Sequence, residues 1–167
     1  MRKITFTLLF LFIGSLAFSQ AFWENTRYGM SVEQVQALFP SATTPENPRT
    51  SPLYSSIREQ LRDTTTITIN DSGHNYEYEF EVSFYFWNND LSQITLTLLH
   101  AWADAPFVFD ELSKTLTERY GSPEVSRRTT GRWEDGWSSG STLITLIWEE
   151  PERRNESTGL SLIYQSL

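Results

Sequence analysis

The chain contains no cysteine, so it has no disulfide, no thiolate to bind a metal, and no point for the lipid attachment of bacterial lipoproteins. Histidine is scarce, His74 and His100 being the only two. No H-E-x-x-H pattern occurs, which leaves zinc without its usual ligands. Basic residues are outnumbered, Lys+Arg 13 against Asp+Glu 21, and this argues against nucleic acid and anionic lipid as partners, both of which want clustered positive charge. Long apolar runs are absent beyond the first twenty residues. What remains is a chain of 167 residues, 39% hydrophobic and 14% aromatic, enough for one domain with a real core and too apolar for wholesale disorder.

Residues 1–19 read as a secretory signal. Arg2 and Lys3 open it, Ile4 to Ile13 form the apolar stretch, and Ala17-Phe18-Ser19 supplies the cleavage site. A retained anchor is the competing reading, but Gly14, Ser15 and Ser19 interrupt the run before it reaches the roughly 20 apolar residues of a spanning helix. Cleavage after Ser19 leaves a mature chain beginning at Gln20, with two fewer positive charges than the −8 net of the whole sequence. A domain of about 150 residues buries roughly 70% of its unfolded surface and needs no covalent staple. Export without cysteine suits a bacterial periplasmic or secreted protein. Asn70-Asp71-Ser72 and Asn155-Glu156-Ser157 match the glycosylation pattern, yet the pattern is short and both read better as polar turns.

Residues 20–167 read as a single α+β domain. Ser31 with Gln34 three residues later makes a capping box, Val32, Val35, Leu38 and Phe39 share one helical face, and Pro40 ends the helix. Ser41 to Pro52, with three prolines, reads as an exposed loop. Leu53 to Asp63 gives conflicting signals, its first half unassigned, and Thr64 to Ile69 reads as a strand ending in the turn Asn70-Asp71-Ser72-Gly73. Tyr76, Tyr78, Phe80, Val82, Phe84 and Phe86 then alternate with Glu77, Glu79, Glu81 and Ser83, a strand with one buried face. Ile94, Leu96 and Leu98 answer it across Asn88-Asn89-Asp90. Parity selects a three-residue loop pairing Trp87 with Leu91, Phe84 with Ile94 and Val82 with Leu96. Pro106 to Tyr120 is the second helix, capped by Asp104 or a neighbour and stopped by Gly121-Ser122-Pro123. Val125 to Trp133, Thr142 to Glu149 and Leu160 to Tyr164 read as strands, with Glu134 to Ser141 and Glu150 to Thr158 as loops between them.

The order helix-strands-helix-strands, with loops too short for parallel crossovers, implies an antiparallel sheet with two helices packed on one face. Two motifs carry a resemblance: Tyr28-Gly29-Met30-Ser31 followed by Val35 and Phe39-Pro40, and Arg119-Tyr120-Gly121-Ser122-Pro123 closing a helix. They resemble small exported bacterial α+β proteins, and the element order is similar to the group containing the BamE-like outer-membrane assembly subunit and the β-lactamase-inhibitor-protein fold. The chain departs from the first in lacking a lipoprotein cysteine and from the second in lacking disulfide cysteines. The resemblance implies a binding or assembly role.

Catalytic patterns fail when tested. Gly136-Trp137-Ser138-Ser139-Gly140 matches the nucleophile elbow G-x-S-x-G, but charged residues precede it, a strand-forming run follows, and both histidines lie earlier in the chain; it reads as a hairpin loop. His100 continues the inward parity of Leu96 and Leu98 and reads as a hydrogen-bonded residue at a strand end. Glu134, Asp135, Glu149 and Glu150 are the clustered acids nearest aromatic rings, yet neighbours on a strand face opposite ways, while glycoside hydrolysis needs two carboxyls facing one cleft. Glu77, Glu79 and Glu81 stand about 7 Å apart, too far to hold one calcium ion together, and form a solvated acidic face beside Thr95 and Thr97. Neither a cofactor nor a metal is implied.

That acidic face can steer a basic partner. Among six tryptophans, Trp23, Trp87, Trp102, Trp133, Trp137 and Trp148, the three at expected loops, Trp87, Trp133 and Trp137, are candidates for a binding patch against a background of core tryptophans. Arg132 beside Trp133 can stack on an aromatic ring. The reading is a soluble, non-enzymatic binding or assembly module with Glu77, Glu79, Glu81, Trp87, Trp133 and Trp137 as partner-binding residues. Its partner is a protein, with a small ligand or glycan as the alternative and a carboxylate hydrolase further behind; neither nucleic acid nor stable membrane insertion is expected.

Overall fold

A computed structural model describes residues 23–100, 103–150 and 159–167. The expected signal segment, Trp102, the Asn155 pattern and most of the expected Glu150 to Thr158 loop lie outside them. The elements run α1 (Val32–Leu38), β1 (Arg58–Asp71), β2 (His74–Trp87), β3 (Asp90–Leu98), α2 (Ala105–Tyr120), β4 (Val125–Thr129), β5 (Arg132–Ser139), β6 (Thr142–Glu149) and β7 (Gly159–Ser166). The strands form one antiparallel sheet in the order β1-β2-β3-β7-β6-β5-β4. Two meanders are thus joined where β7 pairs with β3. A cross-strand row of Phe84, Ile94, Tyr164, Ile144 and Trp137 runs through five of the strands and forms the middle of the core.

Local chemistry sets the helices. Ser31 accepts from the Gln34 amide at 3.3 Å while the Gln34 side chain accepts from the Ser31 amide at 2.9 Å, a reciprocal capping box. Pro106 starts α2 and Gly121, at φ 87°, ends it; Asp104 stands at the N-cap but its side chain makes no capping bond. The two helices lie toward opposite ends of the sheet order, α1 against β1 and α2 against β5, β6 and β7.

Several expectations are corrected. β1 begins at Arg58 rather than Thr64, because a bulge at Gln60 turns Glu59 and Leu61 to opposite faces and hides the period-two signal. The β2–β3 turn has two residues, Asn88 and Asn89, both at positive φ, and pairs Trp87 with Asp90. Phe84 still meets Ile94 and Val82 still meets Leu96, because a bulge at Ser92 restores the parity that the shorter turn would break. The expected strand Val125 to Trp133 is two strands joined at Thr130-Gly131, and the expected loop after it is β5, which carries most of the G-x-S-x-G pattern. Asp135 sits buried on the core side of β5, and a buried charge disguises an alternating strand as a polar loop. His100 lies past the end of β3, exposed and at φ 57°.

The sheet's second face is not simply solvated. Ser83, Tyr85, Gln93, Thr95, Ile163 and Gln165 are buried there. Part of the cover is the segment expected as an exposed loop: Thr43 and Thr50 bridge to Arg62 and Arg58, and buried Ser51 donates to the Gln93 side chain at 2.7 Å. Residues 42–53 are therefore a strap tied along the first part of β1 and folded over β3.

Candidate functional site

Two buried carboxylates anchor the architecture, and each is already committed. Asp135, 1% exposed, accepts both Arg128 guanidinium nitrogens at 2.8 and 2.7 Å and the Ser113 hydroxyl of α2 at 2.7 Å. Burial pushes this carboxyl up, but the hydrogen bonds from Arg128 and Ser113 outweigh it and hold the acid below its ordinary range. Arg128 in turn lies over the rings of Phe109 and Trp133, at 4.6 and 5.6 Å to their centroids; the guanidinium that meets Trp133 is thus that of its cross-strand partner Arg128 on β4, not the expected Arg132. On the other face Glu59, 2% exposed, accepts from Arg62 at 2.9 and 2.7 Å, from Ser83 at 2.6 Å and from the Arg49 amide at 3.1 Å. Burial again pushes upward, and the Arg62, Ser83 and Arg49 hydrogen bonds again win. An acid held ionised by this many donors is poorly suited to deliver a proton at neutral pH.

The remaining clustered acids do not converge. Glu134 and Asp135 face opposite sides of β5. Glu134 and Glu149 share Arg132, which lies 3.4 Å from the first and is bonded to the second. Among the described residues no group of three or more His, Asp or Glu is arranged to hold a metal ion. Ser138 of the G-x-S-x-G pattern is hydrogen-bonded to Glu124 on a strand, with no elbow.

The tryptophans separate. Trp137, 1% exposed, is core and donates its indole N–H to the Gly121 carbonyl at 3.0 Å. Trp133 is half-buried between Phe109 and Trp148, at ring separations of 5.6 and 4.8 Å. Trp87, 49% exposed, stands at the β2–β3 turn. Between its strand and β5 lie β3, β7 and β6, a separation of about 19 Å at the normal strand spacing. No patch joins the three.

The acidic stripe divides as well. Glu81 is paired with Arg49 at 2.7 Å and Arg62 at 3.6 Å. Glu77 and Glu79 stay exposed, make no salt bridge among the described residues, and stand opposite Thr68 and Thr66 of β1. β1 is the end of the sheet, and its outer side carries the strap only as far as Arg62, whose amide and carbonyl exchange bonds with Thr43 at 2.8 and 2.9 Å. Beyond Arg62 no strand pairs with that side among the described residues. Next to this free stretch lies a groove of about 280 Å³ between β1 and α2, floored by Ile67, Ile69 and Leu112 and rimmed by Glu111, Thr115 and Glu118. A second hollow of about 210 Å³ lies on the strap side, between Leu53, Arg132, Ile147 and Ile163.

The sequence reading located Glu77 and Glu79 but not the groove beside them. Ile67 and Ile69 alternate with threonines, and Glu111, Thr115 and Glu118 recur at helical spacing, but only the tertiary fold sets the two patterns side by side. Among the described residues no helix is long and apolar enough to cross a membrane. No family model matches the chain, and neither a curated protein nor a solved structure does.

Proposed function

We propose that the chain is an exported, non-enzymatic binding module that takes a protein partner on the β1–β2 side of its sheet. The observation that carries this reading is the pairing of two exposed, unneutralised carboxylates, Glu77 and Glu79, with an edge strand open beyond Arg62. An acidic row beside open backbone attracts a basic, extended partner and repels acidic ones. Of the three candidate tryptophans, Trp87, Trp133 and Trp137, Trp87 alone belongs to this reading as a surface residue. The open backbone edge and the acidic row beside it suit an extended polypeptide better than a small ligand or glycan.

The address and the layering belong to the same proposal. The charged, apolar and small-residue order of residues 1–19 supports export, and sequencing of the mature N-terminus should begin near Gln20. Phe39 packs 5.1 Å from Phe84 and Phe109 packs 5.6 Å from Trp133, supporting helices that cover one face while the strap covers the other. The similarity of layout to the BamE-like and inhibitor-protein group supports a binding or assembly role. The test is photo-crosslinking in the native compartment from Thr66 and, as control, from Arg127 on β4. One dominant adduct from Thr66, lost in the double variant Glu77→Lys/Glu79→Lys, is the expected result. Equal adducts from both edges, or none from Thr66, would remove the reading.

A further inference from the structure

We propose that the groove between β1 and α2 binds an extended segment of a partner protein by strand addition, with apolar residues at alternate positions and Lys or Arg between them. This rests on the binding-module reading and specifies its ligand. Backbone geometry comes first. Arg62 directs both its amide and its carbonyl outward to Thr43, and in an antiparallel ladder the outward groups recur every second residue. Thr64, Thr66, Thr68 and Asn70 therefore present theirs to the open side. The Thr64 amide is met by the Asp63 carboxylate at 2.8 Å, which leaves the Thr64 carbonyl and the paired groups of Thr66, Thr68 and Asn70.

Such an edge is ordinarily guarded by charge, proline or a bulge. From Thr64 to Asn70 the strand has no charged residue and no proline, and its bulge lies earlier, at Gln60. The opposite edge, β4, is shorter and carries Arg127 and Arg128. The open edge is the exception, and it borders the groove.

Side-chain chemistry then defines the ligand. A strand added to β1 sends alternate residues to opposite faces. One set falls beside Ile67 and Ile69 and enters the groove against Leu112. The other set falls beside Thr66 and Thr68, two strands or about 10 Å from the backbone of Glu79 and Glu77, a span that a Lys or Arg and a Glu side chain close together. Glu111 and Glu118 line the helix side of the groove; Lys114, 3.7 Å from Glu111, is the one opposing charge among its lining residues. A second copy fits less well, because its own β1 from Thr64 to Asn70 brings no basic residue to either acidic row.

The probe is a short fluorescent peptide alternating valine and lysine, compared with one alternating valine and glutamate and with a valine–lysine peptide N-methylated on one edge. Anisotropy should show binding of the first alone, weakened about tenfold by Glu77→Lys/Glu79→Lys and by added salt. Bound peptide should slow hydrogen exchange at the Thr66 and Thr68 amides. Failure of the valine–lysine peptide to bind, or equal binding of the N-methylated form, overturns strand addition; the module reading survives this if the Thr66 crosslink persists and falls if it does not. A concentration-dependent dimer abolished by Thr66→Pro would assign the edge to a second copy and also overturn the proposal.

Discussion

Removing the two halves of the Asp135–Arg128 pair should have unequal costs. Arg128→Met strips the carboxylate of its two strongest donors and leaves a group that is 1% exposed with only serine hydroxyls to solvate it. Losing one partner of a buried pair costs about 3–5 kcal/mol because the survivor stays charged and dry, and the stacking of Arg128 on Phe109 and Trp133 adds about 0.5–1 kcal/mol. Asp135→Asn instead abandons a guanidinium that is 39% exposed. That group reaches water by a small side-chain rotation, so its cost falls to about 1.5–3 kcal/mol, the scale of a hydrogen bond to a charged partner. The double variant Arg128→Met/Asp135→Asn should cost less than the sum, since neither charge is then stranded. Urea unfolding at neutral pH reads all three, with an unchanged m-value as the condition for comparing midpoints. Equal costs for the single variants, or a larger cost for Asp135→Asn, would refute the asymmetry on which the argument rests.

Three further outcomes follow from the same geometry. Asp135 and Glu59 titrate below their ordinary values of 3.8 and 4.5 in the folded chain, so their stabilisation is present above those values and lost as pH falls through the lowered ones; urea midpoints should drop below about pH 4.5, Glu59→Gln should shrink that drop, and a drop confined to pH above 6 would contradict it. Trp137→Phe should cost about 2–3 kcal/mol through a cavity and an orphaned Gly121 carbonyl, whereas Trp87→Ala should stay within about 0.5 kcal/mol; reversed magnitudes in thermal melts would undo the assignment of Trp137 to the core. Gly159→Ala should destabilise by about 1–3 kcal/mol, because a Cβ there would overlap the Glu149 carbonyl, and an unchanged melting temperature would show that the β6–β7 pairing yields freely.

Elements with unbroken periodicity were legible in the sequence: the capping box at Ser31, the apolar face of α2, and the matched parity of Phe84 with Ile94. Those that were not share one physical cause, an interaction that disguises the period. Glu59 and Asp135 place charges inside, which only their tertiary partners Ser83 and Ser113, together with Arg62 and Arg128, make tolerable. The bulges at Gln60 and Ser92 each add one residue and invert parity, and they flank β2 at the same level, beside Tyr85. Bulges bend and twist the strands that carry them. β3 ends at Leu98, opposite Phe80, so beyond that level β1 and β2 run on as a two-stranded arm. On that arm Ile67 and Ile69 reach the side of α2, and the edge beyond Arg62 opens. The groove joins a strand and a helix that were each readable, Thr64 to Ile69 and Pro106 to Tyr120, through a contact that neither period encodes, which is why Glu77 and Glu79 were visible in the sequence while the groove beside them was not.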